Sequence, residues 1–147
     1  MEQSKPVLVT GATGYVGGRL IPLLLKAGFR VKAFSRSLSK MNCRPWAFDS
    51  GVELAEGDVT DSESLKRAAK GCWAAYYLVH SMISQKRKFA DADRLGAENM
   101  VAAASEAGLK KIVYLGGLGD VNNPRLSKHL KSRHEVAKIL QAGPVAA

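Results

Sequence analysis

Short runs of apolar and β-branched residues alternate along this chain with longer stretches in which apolar positions recur every three or four residues. The short runs are PVLVT (6–10), RVKAFS (30–35), VELAE (52–56), AAYYLV (74–79) and KIVYLG (111–116). Their length and composition predict strands. The longer patterns, over 14–27, 61–70, 86–107 and 127–141, predict helices. Strand and helix in regular turn is the mark of βαβ units, so the pattern predicts an α/β domain, a doubly wound parallel sheet with helices on both faces. Residues 36–51, which include Pro45 and Gly51, follow neither period and predict a loop with a short helix. The chain holds no internal repeat and no low-complexity segment.

Local signals bound several of these elements. In TDSESLKRAAKG (60–71) acidic residues stand in the first turn, and basic residues with Gly71 close the helix. In FADADRLGAENMVAAASEAG (89–108) Phe89, Ala92, Leu95, Met100 and Val101 fall close to helical spacing, and Gly108 ends the run. The last residues, GPVAA (143–147), read as the opening of a further strand. On that reading residues 1–147 form one domain of a C-terminally truncated chain, a fragment of a longer protein whose remainder carries the substrate-binding part.

Composition changes this picture little. The chain has 147 residues, enough for one domain with a real core, and its hydrophobic fraction of 46% suits a soluble protein. No apolar run reaches the length of a membrane span, and MEQSKP at the start has no secretory character, so a cytoplasmic location is expected. Cys43 and Cys72 lack metal-ligand spacing; two free thiols and no metal site are expected. The net charge of +9 raises the question of an anionic partner. The basic residues are scattered, apart from QKRK (85–88) and a looser set from Arg125 to Lys138, and no aromatics interleave them. A nucleic-acid partner is therefore not expected.

Candidate chemistry gathers where each strand ends. VLVTGATGYVGGRL (7–20) places Gly11, Gly14 and Gly17 between a strand and a helix. Glycines there let backbone N–H groups at a helix N-terminus approach an anion such as a pyrophosphate. The predicted grip comprises Gly11, Ala12, Thr13, Gly14, Tyr15, Val16 and Gly17. After the second strand come Ser35 and Arg36, where an acid would suit the ribose hydroxyls of NAD. A serine and an arginine suit a 2′-phosphate instead, which favours NADP over NAD. After the third strand Asp58 can accept from an adenine amino group, and Val59 can pack on the ring; a simple turn at Asp58 is the competing reading. After the fourth, Leu78, Val79 and His80, with Ser81, fall where a second ribose and a nicotinamide would lie.

Taken together these motifs resemble the short-chain dehydrogenase/reductases of the extended or atypical kind. TGATGYVG (10–17) is similar to that superfamily's TGxxGxxG motif and GDVTD (57–61) to its adenine-contacting acidic motif. The spacing around Asn99 and AGLKKIVYLGGLG (107–119) resemble its fourth helix and fifth strand. Within the superfamily, YYLVHSM (76–82) and HLKSRHEVAKIL (129–140) are similar to NmrA-like and YbjT-like NAD(P)H-binding proteins, often described by analogy as sugar-nucleotide epimerases. The resemblance covers nearly the whole chain and implies a Rossmann domain with bound NAD(P).

The resemblance would also imply a catalytic Ser, Tyr and Lys, and here the chain departs from it. Gly116, Gly117 and Leu118 stand where the serine is expected, and His129 and Arg133 stand where the YxxxK pair is expected. His129 and Arg133 share one helical face. In catalytic roles His129 would move the proton and Arg133 would orient it or hold ribose or phosphate, with His80 and Ser81 as helpers. Ser127 and Ser132 lie nearby without the family spacing. Two functions follow: an NADP-dependent oxidoreductase or epimerase/dehydratase-like enzyme acting on a small molecule, or a non-catalytic NADP(H)-binding sensor or assembly module that binds a partner protein.

Overall fold

The computed structural model describes residues 4–80 and 89–147. Five strands form one parallel sheet: β1 (Val7–Thr10), β2 (Val31–Ser35), β3 (Val52–Glu56), β4 (Ala74–Tyr77) and β5 (Lys111–Tyr114). The order across the sheet is β3-β2-β1-β4-β5, with Val7 beside both Val31 and Ala74. Every strand is followed by a helical crossover: α1 (Tyr15–Lys26), α2 (Leu38–Asn42) with a 3-10 turn at Pro45–Phe48, α3 (Ser62–Ala69), α4 (Phe89–Ala107) and α5 (Lys128–Ala142). This is the doubly wound parallel sheet that the alternation of patterns predicts. The strands at 74–79 and 111–116 end two residues sooner than the sequence suggests, at Tyr77 and Tyr114.

Alternation along β1 sends successive side chains to opposite faces and so divides the core. Val7 and Val9 join Ile21, Leu24, Val31, Ala33 and Met41 on the face covered by α1 and α2. Leu8 joins Phe34, Leu65, Ala75, Tyr77, Met100, Ile112 and Leu140 on the face covered by α3, α4 and α5. Near its start α3 is held by Asp61, whose carboxylate accepts from the Glu63 and Ser64 amides at 3.1 and 3.4 Å. Buried Lys32 reaches past the end of the same helix and donates to the Lys70 carbonyl at 3.0 Å.

The apolar spacing proposed for α4 needs one correction. Leu95 is on the outer surface, 43% exposed. The buried stripe is Asp93, Gly96, Ala97, Met100, Ala103 and Ala104. Small residues let α4 lie close to the sheet between α3 and α5; a Cβ at position 96 would stand 2.6 Å from the Tyr77 hydroxyl. At the other end of the chain GPVAA does begin to pair, as the Ala146 carbonyl accepts from the Ile112 amide at 2.8 Å, parallel to β5. Among the described residues no helix is long and apolar enough to cross a membrane.

The turn from β1 into α1 depends on backbone packed against backbone. Gly11 has φ +69°, a conformation that glycine adopts without strain. A Cβ on Gly17 would collide with the Gly11 carbonyl. Substituting Gly17 with alanine should therefore open the turn and remove about 2–3 kcal/mol of stability, measured by urea unfolding.

Candidate functional site

The strand order reverses between β1 and β4, and the crossovers leave those strands toward opposite faces. A crevice at the carboxyl ends is the result. Thr10 fixes its floor: the Thr10 hydroxyl donates to the Tyr76 carbonyl at 3.2 Å and accepts from the Leu78 amide at 3.1 Å. Above it opens a cleft of about 400 Å³. One wall is the glycine loop, where Gly11, Thr13 and Gly14 face the space. The other walls are Ser35 and Arg36, then Asp58 and Val59, then Leu78, Val79 and His80. Four separate strand ends thus bring most of the proposed cofactor residues to one place.

The remaining loop residues support the grip without lining it. Ala12 is buried in the core and Gly17 lies under Gly11. Tyr15 is 75% exposed, with the Arg19 guanidinium 3.7 Å from the centre of its ring, and Val16 is also exposed. Gly14 caps α1 with no side-chain hydrogen bond, and no acid stands in the first turn of that helix. The positive end of the helix dipole is left open to the cleft, which suits an anion. Gly11 has no room for a larger residue, since its Cβ would meet the Leu78 carbonyl at 3.0 Å.

Ser35 is buried and its hydroxyl lies 3.2 Å from that of Thr13, while Arg36 is exposed at the rim. Asp58 holds a tight turn of its own: one carboxylate oxygen accepts from the Thr60 amide at 2.9 Å and from the Thr60 hydroxyl at 2.8 Å. The turn and the cleft-facing position coexist in that residue. Val59 is buried, and Asn99 holds its carbonyl at 2.8 Å.

The far end of the cleft carries a cluster of titratable groups. Asp93, on α4, is buried, lines the cleft and accepts from the buried Ser132 hydroxyl of α5 at 2.9 Å. Sequence reasoning missed Asp93; the signal for it is a carboxylate at i, i+3, i+4, i+7 spacing with Gly96, Ala97 and Met100. Phe34, Gly57, Thr60, Tyr77 and Ala92 complete the lining and were also missed. Burial pushes the Tyr77 phenol well above its ordinary value, and the nearby Asp93 charge adds to this. Tyr114 is raised as well, chiefly by burial, and donates to the Arg133 carbonyl at 3.3 Å.

His129 is exposed on the first turn of α5, its ring stacked on Phe89 with 4.6 Å between centroids. Arg133 lies one turn further on and is half-buried. Neither lines the cleft, but both act electrostatically on His80. Gly117, one of the three residues that stand where the superfamily's serine is expected, is crowded: a Cβ there would meet the Leu130 side chain at 2.5 Å and that of Arg133 at 3.3 Å. Ser127 caps α5 by accepting from the Leu130 amide at 3.2 Å. Ser81 and the QKRK stretch lie outside the described residues. Cys43 and Cys72 are both free thiols, and burial pushes Cys72 up to about 11.

The sheet order, the glycine turn and the cleft at the β1/β4 switch point define a Rossmann domain of the short-chain dehydrogenase/reductase type. The chain belongs to the NmrA-like family, which matches it over residues 3–146. Sterol demethylase protein B of Methylococcus capsulatus is 32% identical over 123 residues, covering 80% of this chain and 36% of that protein. Cinnamoyl-CoA reductase 1 of Arabidopsis thaliana is 30% identical over 121 residues, covering 80% of this chain and 35% of its own. Triphenylmethane reductase of Citrobacter sp., solved with NADP(H), superposes with a TM-score of 0.73 at 28% identity, over 92% of this chain and 45% of the reductase. The chain thus spans about a third of the length of these curated relatives.

His80 is held below its ordinary value, first by burial, then by Arg133 and His129, against an opposing pull from Asp93. Arg133→Ala removes one of the cationic contributions, so the His80 imidazole should titrate at higher pH in that variant than in the wild type. Histidine ring NMR signals followed through a pH series check this.

Proposed function

We propose that this chain binds a nicotinamide dinucleotide, NADP in preference to NAD, as the cofactor domain of an oxidoreductase or an epimerase/dehydratase-like enzyme. The observation that carries the reading is the single cleft in which the glycine loop, Ser35 with Arg36, Asp58 with Val59, and Leu78 to His80 meet. The space beside Gly11 and Gly14 fits a phosphate bridge because no side chain fills it. The triphenylmethane reductase solved with NADP(H) and the relatives that are reductases support the same reading.

In this proposal the amides of the loop and of the α1 N-terminus receive the pyrophosphate. Arg36 pairs with the 2′-phosphate, Ser35 holds the adjoining ribose, and Asp58 and Val59 take the adenine. When bound, the cofactor supplies or accepts the hydride. His80, held below its ordinary value first by burial and then by Arg133, is a hydrogen-bonding group beside the nicotinamide end. His129 is the proposed proton carrier for the substrate oxygen, and Arg133 orients it and holds the sugar or phosphate beside it. The chain matches about a third of its curated relatives, and on this reading the rest of such an enzyme completes the substrate pocket.

The second reading is an NADP(H)-binding sensor or assembly module that performs no chemistry. It is favoured by the crowded Gly117 and by His129 and Arg133 at the YxxxK positions, which leave no hydroxyl there to act as the acid.

The cofactor reading is tested by calorimetric titration with NADPH and NADH, on the wild type and on Arg36→Ala. NADPH should bind more tightly, and Arg36→Ala should lose about tenfold in NADPH affinity with NADH unchanged. Failure of both nucleotides to bind would remove this proposal. NADPH oxidation across a panel of carbonyl compounds then separates the two readings. Turnover that His129→Ala lowers at least about a hundredfold supports the enzyme. Tight binding without turnover supports the sensor.

A further inference from the structure

We propose that Arg44 is a positioning residue for the dinucleotide: it holds the glycine loop from behind and sets a positive charge beneath the turn that receives the pyrophosphate. This rests on the cofactor reading above and adds a residue that no motif identifies.

The chain around Arg44 is built to aim it. Pro45 follows and keeps the Arg44 backbone extended, at φ −93° and ψ 139°. Its amide donates to the Met41 carbonyl at 2.9 Å, and its own carbonyl accepts from the Ala47 amide at 3.0 Å. Met41 and Trp46 on either side are buried in the core beneath α1. With backbone and neighbours fixed, the side chain crosses to the β1–α1 turn. There the guanidinium donates to the Thr13 carbonyl. It also lies against α1, where a Cβ on Gly18 would stand in ordinary van der Waals contact with it, 3.7 Å from its Nη1.

The charge of Arg44 is what makes this more than a structural brace. Among the described residues its guanidinium forms no ion pair with a carboxylate. The first turn of α1 carries no acid, and Arg19 adds a second cation near the same helix end. Positive charge beside the positive end of a helix dipole is unfavourable by itself. An anion in the loop reverses the sign of that interaction, so the arrangement favours the bound state over the free one. Arg44 does not line the cleft; it lies in the groove on the opposite side of the loop, with Gly18 and Trp46. It acts through Thr13 and through space, and does not touch the ligand.

The same residue joins the two phosphate-binding parts of the cleft. Thr13 is held by Arg44 at its carbonyl and meets the Ser35 hydroxyl with its own at 3.2 Å. The Ser35 hydroxyl accepts in turn from the Ser37 amide at 3.4 Å. Arg36 lies between those two serines. Arg44 belongs to the pyrophosphate side of this chain of contacts, because its bond is to the loop itself.

The test compares wild type, Arg44→Gln and Arg44→Lys, each confirmed folded by circular dichroism, in titrations with NADPH, NADH and adenosine 2′-monophosphate. The last probe carries the 2′-phosphate without the pyrophosphate. Arg44→Gln loses the charge and, being shorter, the reach to the Thr13 carbonyl, and should weaken NADPH and NADH alike by about tenfold. It should leave adenosine 2′-monophosphate unchanged. Arg44→Lys keeps the charge and should restore both dinucleotides to within about threefold of wild type. Equal NADH affinity in wild type and Arg44→Gln overturns the proposal, and so does an equal loss for adenosine 2′-monophosphate, the sign of general loosening. If the wild type binds neither dinucleotide, the cofactor reading fails and this inference with it. If the wild type binds both and Arg44→Gln binds them as well, only the role of Arg44 fails.

Discussion

The close approach of Gly17 to the Gly11 carbonyl is the constraint on which the rest depends. It brings the start of α1 directly over the end of β1, without side chains between them. That contact determines where the free amides of the helix point, and it lets α1 lie flat on Val7, Val9 and Val31. It also brings the turn within reach of Leu78, just past the end of the neighbouring β4. One backbone contact therefore serves the core on one side and the open cleft on the other.

Around this turn the cleft is a product of divergence. β1 and β4 lie side by side, yet the chain leaving β1 rises to one face and the chain leaving β4 to the other. Thr10 uses its hydroxyl as both donor and acceptor to close the gap below, so the cleft has a hydrogen-bonded floor. Its two ends differ in chemistry. The end near Ser35, Arg36 and Asp58 is polar, with Ser35 buried at the end of β2, Asp58 half-buried in its turn and Arg36 exposed at the rim. The end near His80 and Asp93 is partly buried, and there burial raises the Tyr77 phenol and lowers the His80 imidazole from their ordinary values.

The strand rhythm was legible in the sequence apart from the ends of β4 and β5, and most plainly at β1, where a strand buried on both faces appears as the unbroken apolar run VLVT. The glycine loop was legible for a different reason: its constraint is steric and local, so the spacing of Gly11, Gly14 and Gly17 records it. Asp93 and Arg44 were not legible. Asp93 is read as a solvated acid until α4 is laid against the sheet and shows it on the inner stripe. Arg44 lies in a stretch without period, and its partner Thr13 is thirty-one residues away, a distance that local patterns do not span. The inner face of α4 was misread at Leu95 because hydrophobicity was weighed over size. Here close packing against Tyr77 selects glycine and alanine instead.

The order of the strands also imposes an order in time. β1, β2 and β3 are neighbours in the sheet in the same succession in which they occur in the chain, reversed in space. They can pair as soon as they exist, each closing only a short loop. β4 must travel back past two strands to reach the free edge of β1, a longer closure that is slower to form. The wall made by the glycine loop, Arg36 and Asp58 therefore rests on shorter chain closures than the wall that carries His80 and Asp93.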